Sequence, residues 1–124
     1  MRAGNAKSVL IVENDPAFRT LLNKILKSLD CYVLGESSGG QEAVDLYERK
    51  RPDIVLLSIQ QPDMQGLDVL TKMITLQPSQ IVIILTAESD QETVMRCLAA
   101  GAKGYVLKSD SANAIQDRIK KFIP

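Results

Sequence analysis

Residues 51–66 read RPDIVLLSIQQPDMQG, and the apolar run Ile54-Val55-Leu56-Leu57 inside this stretch decides the fold. An unbroken run of this length, without polar alternation, is the pattern of a β-strand covered on both faces. Pro52 precedes the run, and a loop carrying Pro62, Met64 and Gly66 follows it. Proline and glycine placed this way punctuate the strand at both ends. The strand closes on Ser58, whose side chain is a hydroxyl.

Outward from this strand the pattern alternates strand and helix five times. The strands expected are Ser8–Val12, Tyr32–Ser37, Ile54–Ser58, Ile81–Thr86 and Gly104–Leu107. The clearest helix has Phe18, Leu21, Leu22, Ile25, Leu26 and Leu29 on one stripe, with Asp15 as N-cap and Pro16 at the first helical position. A second runs from about Gly40 to Arg49 and turns Ala43, Val44, Leu46 and Tyr47 inward. A third, near Leu67 to Thr75, buries Leu67, Leu70 and Ile74 or Met73, with Pro78 helping to end it. The fourth, Asp90 to Ala99, buries Val94 and Leu98 and is broken by Gly101. The last spans Ser111 to Phe122, with Ala112, Ile115, Ile119 and Phe122 at helical spacing. Such alternation implies a parallel sheet with helices on both faces. Ligands of such sheets gather outside the carboxyl ends of the strands. Those ends are Glu13-Asn14, Ser58, Thr86 and Lys108.

The 124 residues make one domain, spanning 1–124, with enough chain for a proper core. Apolar residues are 45 % of the chain, and glycine and proline are sparse at seven and five, so an ordered globular domain is expected. Fifteen basic and fifteen acidic residues cancel, which gives no general electrostatic reason to bind nucleic acid or an anionic membrane. Neither a signal peptide nor a membrane span fits the N-terminal region. Cys31 and Cys97 lack metal-ligand spacing and there is no histidine, which argues against zinc and haem sites. Both cysteines read as reduced, buried thiols of a cytoplasmic protein. The sequence stops just after the expected fifth helix, so no output domain is expected within these 124 residues.

PDIVLLS followed by a loop with Pro62, Met64 and Gly66 resembles the receiver domain of two-component response regulators. There the pattern runs PDIVLLD and then MPxMxG. Val9-Leu10-Ile11-Val12-Glu13-Asn14-Asp15-Pro16 is similar to the family's VLIVDDxP, and Thr86-Ala87 stand at its strand-end hydroxyl and small-residue positions. GAKGYVLKS resembles its fifth-strand signature, with Tyr105 as the switching aromatic and Lys108 as the phosphate-binding lysine. Ser109-Asp110 after that lysine looks nearest to receivers of the NarL type. The resemblance covers essentially the whole chain. It implies a flavodoxin-like, CheY-like doubly wound α/β fold in three layers: five parallel strands in order 2-1-3-4-5 with five helices.

The same resemblance makes the departures informative. In the family the strand-end residue is an aspartate that takes a phosphoryl group from a histidine kinase; here it is Ser58. Asn14 replaces an acid that would contact a metal, and Gln61 replaces the methionine before the loop proline. Only Glu13 stays anionic among the three carboxylates expected, a poor match for Mg²⁺. Weak or absent Mg²⁺ binding and no cofactor are therefore expected. Glu13, Asn14, Ser58, Thr86 and Lys108 form a degenerate phosphorylation pocket. Lys108 needs an anionic neighbour there, and Glu13 is expected to reach it.

Each of these residues also has a plainer reading. Ser58 is then a small strand-end residue, Thr86 a β-branched strand residue, Tyr105 a static half-buried aromatic, and Asp53 a solvated turn residue. Asp63 is either an ordinary exposed loop acid or a surrogate acceptor. Serine nucleophilicity at Ser58 would need a base, and Glu13 is the only nearby candidate.

The leading expectation is a non-enzymatic pseudo-receiver acting by protein–protein interaction, with a histidine kinase or an output domain as partner, or as a homodimer. By resemblance, the contact surface is the fourth helix, fifth strand and fifth helix, with Tyr105, Arg96 and Lys103 (and Gln91 and Arg118) as candidate positions. The alternative is a still-phosphorylatable receiver, as a stand-alone protein or as the N-terminal regulatory domain of a helix-turn-helix transcription factor. A flavodoxin-type protein is a third reading, but Glu13-Asn14-Asp15-Pro16 offers no phosphate cradle. Neither DNA nor membrane binding by this chain itself is expected.

Overall fold

The computed structural model describes residues 6–60, 63–87 and 91–123. Five strands, β1 (Ser8–Val12), β2 (Tyr32–Ser37), β3 (Ile54–Ser58), β4 (Ile81–Thr86) and β5 (Gly104–Leu107), alternate with five helices. These are α1 (Pro16–Ser28), α2 (Gly40–Lys50), α3 (Gly66–Leu76), α4 (Gln91–Ala99) and α5 (Ala112–Lys120). All strand pairs are parallel, in the order β2-β1-β3-β4-β5. This is the doubly wound, CheY-like arrangement expected, and all five strands have the expected bounds.

Successive strand side chains point to opposite faces, and the core divides accordingly. Leu10, Val12, Val55, Leu57, Val82 and Ile84 pack with α2, α3 and α4 on one face. Val9, Ile11, Ile54, Leu56, Ile83 and Leu85 pack with α1 and α5 on the other. The uniform burial of β1 and β3 follows from this double cover. On the first face the fully buried Tyr47 donates its hydroxyl proton to Gln80 Oε1 at 2.9 Å. Gln80 Nε2 in turn donates to the Asp53 and Ile81 carbonyls.

Helix α1 begins as expected: Asp15 Oδ1 accepts from the Ala17 amide at 3.0 Å and Pro16 opens the first turn. Four details differ from expectation. In α3 the fully buried residues are Val69, Leu70 and Met73, while Leu67 and Ile74 are only partly covered. In α4 the inward residue beside Val94 is Cys97, and Leu98 is 39 % exposed. Asp90, expected to open that helix, lies outside the described residues. Helix α5 is shorter than expected: Ser111 is its cap, accepting from Ala114 N, Ala112 is exposed, and Phe122 packs from beyond its end. Of the two free thiols, Cys97 is buried but Cys31 only half so. Burial raises the pKa of both.

Gly66 has a steric reason to be glycine. A Cβ there would lie 2.6 Å from the Ile59 Cα and carbonyl oxygen. The close approach lets Gly66 N donate to Ile59 O at 2.8 Å, beside an antiparallel bridge between Gln60 and Gln65. The loop after β3 is thus closed at its own base.

Candidate functional site

The carboxyl edge of the sheet collects the anticipated residues because β1, β3, β4 and β5 all end there. Glu13 follows β1 directly, its amide donating to the Ser37 carbonyl at 2.8 Å. Lys108 follows β5, its amide donating to the Thr86 carbonyl at 2.8 Å. Ser58 and Thr86 are 3 % and 6 % exposed at the ends of β3 and β4. Ser58 Oγ donates to the Gln60 carbonyl at 3.4 Å. A recess of about 100 Å³ is bounded by Ser58, Gln60, Thr86, Thr93 and Lys108. Gln61 and Pro62 lie outside the described residues.

The expected partner of Lys108 is in place. Its Nζ lies 2.6 Å from Glu13 Oε1, with the Glu13 side chain fully buried and the Lys108 side chain 19 % exposed. The pair is held by charge, since Oε1 makes no hydrogen bond of good angle. Glu13 Oε2 accepts from the Asp15 amide at 2.9 Å, so both carboxylate oxygens are engaged. Nζ also sits 5.2 Å from the centroid of the Phe18 ring, whose π face favours a cation. Phe18 had been legible only as a core residue. Asn14 is exposed. Among the described residues no group of three or more His, Cys, Asp or Glu side chains is placed to share a metal ion.

Two acids have different roles from those anticipated. Asp53 is no mere solvated turn residue: its Oδ2 accepts from Ser8 N at 2.9 Å and Ser8 Oγ at 3.1 Å, tying β1 to β3 at the far edge of the sheet. Asp63 is committed to α2. Its Oδ1 accepts from Gly40 N at 2.7 Å and Oδ2 from Gln41 N at 3.1 Å. It thereby caps a helix whose own N-cap residue, Gly39, has no side chain to offer. The Gln41 and Gly40 amides hold the Asp63 carboxyl below its ordinary pKa. A depressed carboxyl pKa stabilises the fold above the unfolded value near ~4 and ceases to do so as pH falls through the folded value. Asp63→Asn is therefore expected to lower the thermal midpoint at pH 7. The gap to the parent chain should close in acid below about pH 4. Parallel melts from pH 7 to pH 3 measure this, and a constant gap would refute it.

On the α4–β5–α5 side, Arg96 is exposed and paired with Glu92 at 2.6 Å, one helical turn away. Lys103 and Gln91 are exposed. Tyr105 is half-buried, with the Arg118 guanidinium 4.8 Å from its ring centroid and Nη1 donating to its carbonyl at 3.4 Å. Met95 and Leu98, which periodicity alone did not place at the surface, are 68 % and 39 % exposed. With Val94, Tyr105 and Leu107 they line an apolar groove of about 430 Å³.

The arrangement of strand ends, the lysine after β5 and the hydroxyl that ends β4 agrees with a family model: the response regulator receiver domain matches residues 9–120. The chain belongs to this family. A chemotaxis protein CheY of Thermotoga maritima is 31 % identical over 93 % of this chain and 96 % of its own length. The nitrate/nitrite response regulator NarL of Escherichia coli is 31 % identical over 82 % of this chain and 47 % of its own. The crystal structure of a CheX–CheY–BeF3–Mg²⁺ complex from Borrelia burgdorferi superposes with a TM-score of 0.87 at 27 % identity, covering 93 % of this chain and 87 % of that one. The receiver family is a signalling family rather than one of classical enzymes. Among the described residues, no helix is long and apolar enough to cross a membrane.

Proposed function

We propose that residues 1–124 form one receiver-like module of a two-component or phosphorelay pathway that signals without aspartyl phosphorylation, through protein–protein contact. The observation that carries this reading is the pairing of a hydroxyl at Ser58 with a Lys108 ammonium already neutralised by Glu13. An acyl phosphate needs a carboxylate at the end of β3, and Ser58 has none. Mg²⁺ is a hard ion that asks for anionic oxygen ligands. Glu13 is held by Lys108 and the Asp15 amide, and Asn14 and Ser58 are neutral, so this donor set does not fit the ion. Nor is Asp63 a surrogate acceptor on this reading, because both its oxygens serve the α2 amides.

The contact face on this reading includes Tyr105, Arg96 and Lys103, beside the Met95–Leu98 groove. The partner is a kinase, an output domain or a second copy of the chain, in the cytoplasm. A CheY relative has been solved in complex with CheX, which supports a protein partner. Intact mass after incubation with acetyl phosphate and Mg²⁺ tests the proposal, with a competent receiver labelled in parallel. No gain is expected. Gain of one phosphoryl group would restore the conventional reading and send the search for the acceptor to Ser58 and Asp63.

A further inference from the structure

The opposite edge of the sheet carries a larger cleft than the recess beside Ser58. It measures about 560 Å³ and lies where the segments entering β1, β3 and β4 meet the end of α5. That volume falls inside the range of small-molecule pockets, roughly 300–1,000 Å³. The half-buried Ile81 and Phe122 supply apolar surface, while Pro52 and Ile54 of the lining are themselves buried.

The polar part of the cleft is built rather than incidental. Gln80, only 6 % exposed, lines it with a side chain bonded on every side: Oε1 to the Tyr47 hydroxyl, Nε2 to the Asp53 and Ile81 carbonyls. Asp53 is the one acid of the lining, and its Oδ2 is turned to Ser8. Lys7 and Lys121 stand at the rim, and neither ammonium has an ion pair among the described residues. Gln77 and Ser79 add uncharged hydrogen-bonding groups. Two cations against one carboxylate leave a net positive charge beside the Ile81 and Phe122 side chains, which selects for negative charge joined to an apolar body.

We propose that this cleft binds a small amphipathic anion, an aromatic or aliphatic carboxylate, at the edge of the sheet remote from Ser58. The Gln80–Tyr47 bond joins the cleft lining to α2. The proposal is independent of whether Ser58 or any other residue accepts a phosphoryl group.

The test is titration of the ¹⁵N-labelled chain with 1-naphthoate, with neutral 1-naphthamide and inorganic phosphate as separate arms. Saturable amide shifts are expected for naphthoate at Lys7, Asp53, Ser79, Ile81 and Phe122, with weaker binding of both comparison probes. Lys7→Ala/Lys121→Ala should weaken naphthoate by about tenfold, within the reach of two exposed charge contacts. A well-dispersed spectrum of that variant establishes that it is folded. Absence of saturation, equal affinity for naphthamide, or shifts centred on Met95 and Leu98 would each overturn the proposal.

Discussion

Glu13→Ala is expected to lower the free energy of unfolding by about 3 kcal/mol. Breaking a buried ion pair by removing one partner costs roughly 3–5 kcal/mol, and partial exposure of Lys108 places this case at the lower end. Two consequences combine. Lys108 loses the carboxylate 2.6 Å from its Nζ. The amide of Asp15, the N-cap residue of α1, loses its acceptor. Residual solvation and the Phe18 ring offset part of the first. Glu13→Gln keeps an acceptor for the amide while removing the charge, so it should fall between the parent and Glu13→Ala. Lys108→Ala combined with Glu13→Ala should cost less than Glu13→Ala alone, because no uncompensated charge remains. Urea unfolding of the parent, Glu13→Ala, Lys108→Ala and the double variant closes the cycle. A Glu13→Ala loss below about 1 kcal/mol would assign the pair the small worth of a surface contact.

The second large effect is a gain. Asn14→Asp/Ser58→Asp is expected to convert an unlabelled chain into one that gains a phosphoryl group from acetyl phosphate in the presence of Mg²⁺. The carboxylate at 58 attacks phosphorus and acetate leaves, so the bond formed is an acyl phosphate. Carboxylates at 14 and 58 also provide the anionic oxygens that a hard divalent ion requires. Before any ion is added, a new acid at the 3 %-exposed strand end should destabilise the variant through desolvation and repulsion from Glu13. Mg²⁺ should then raise its thermal midpoint and leave that of the parent unmoved. Thermal melts with and without the ion supply a readout separate from labelling. A folded double variant that gains neither phosphoryl nor Mg²⁺ stabilisation would locate the defect elsewhere in the pocket.

How much of this was legible beforehand depended on range. The strands were readable to the residue because burial on both faces writes itself as unbroken apolar runs, as in Ile54–Leu57. The helices shifted by only a residue or two at most ends, where capping decides. Leu98 and Cys97 exchanged roles because α4 carries apolar residues at 94, 95, 97 and 98, and periodicity admits more than one inward face. Lys108 and Glu13 were placed together because sheet topology brings the two strand ends to one edge. The tasks of Asp53 and Asp63 were not legible. Their partners lie 45 and 23 residues away, and no local pattern marks such pairings.

The pinch between Ile59 and Gly66 separates inheritance of shape from inheritance of chemistry. The loop after β3 is closed by backbone atoms, Gly66 N donating to Ile59 O with a glycine demanded by a 2.6 Å approach, and the Ser58 hydroxyl's bond to the Gln60 carbonyl is a separate contact. A lineage can therefore exchange the residue at the strand end without dismantling the loop. Selection on the reaction and selection on the architecture are then free to act on different positions.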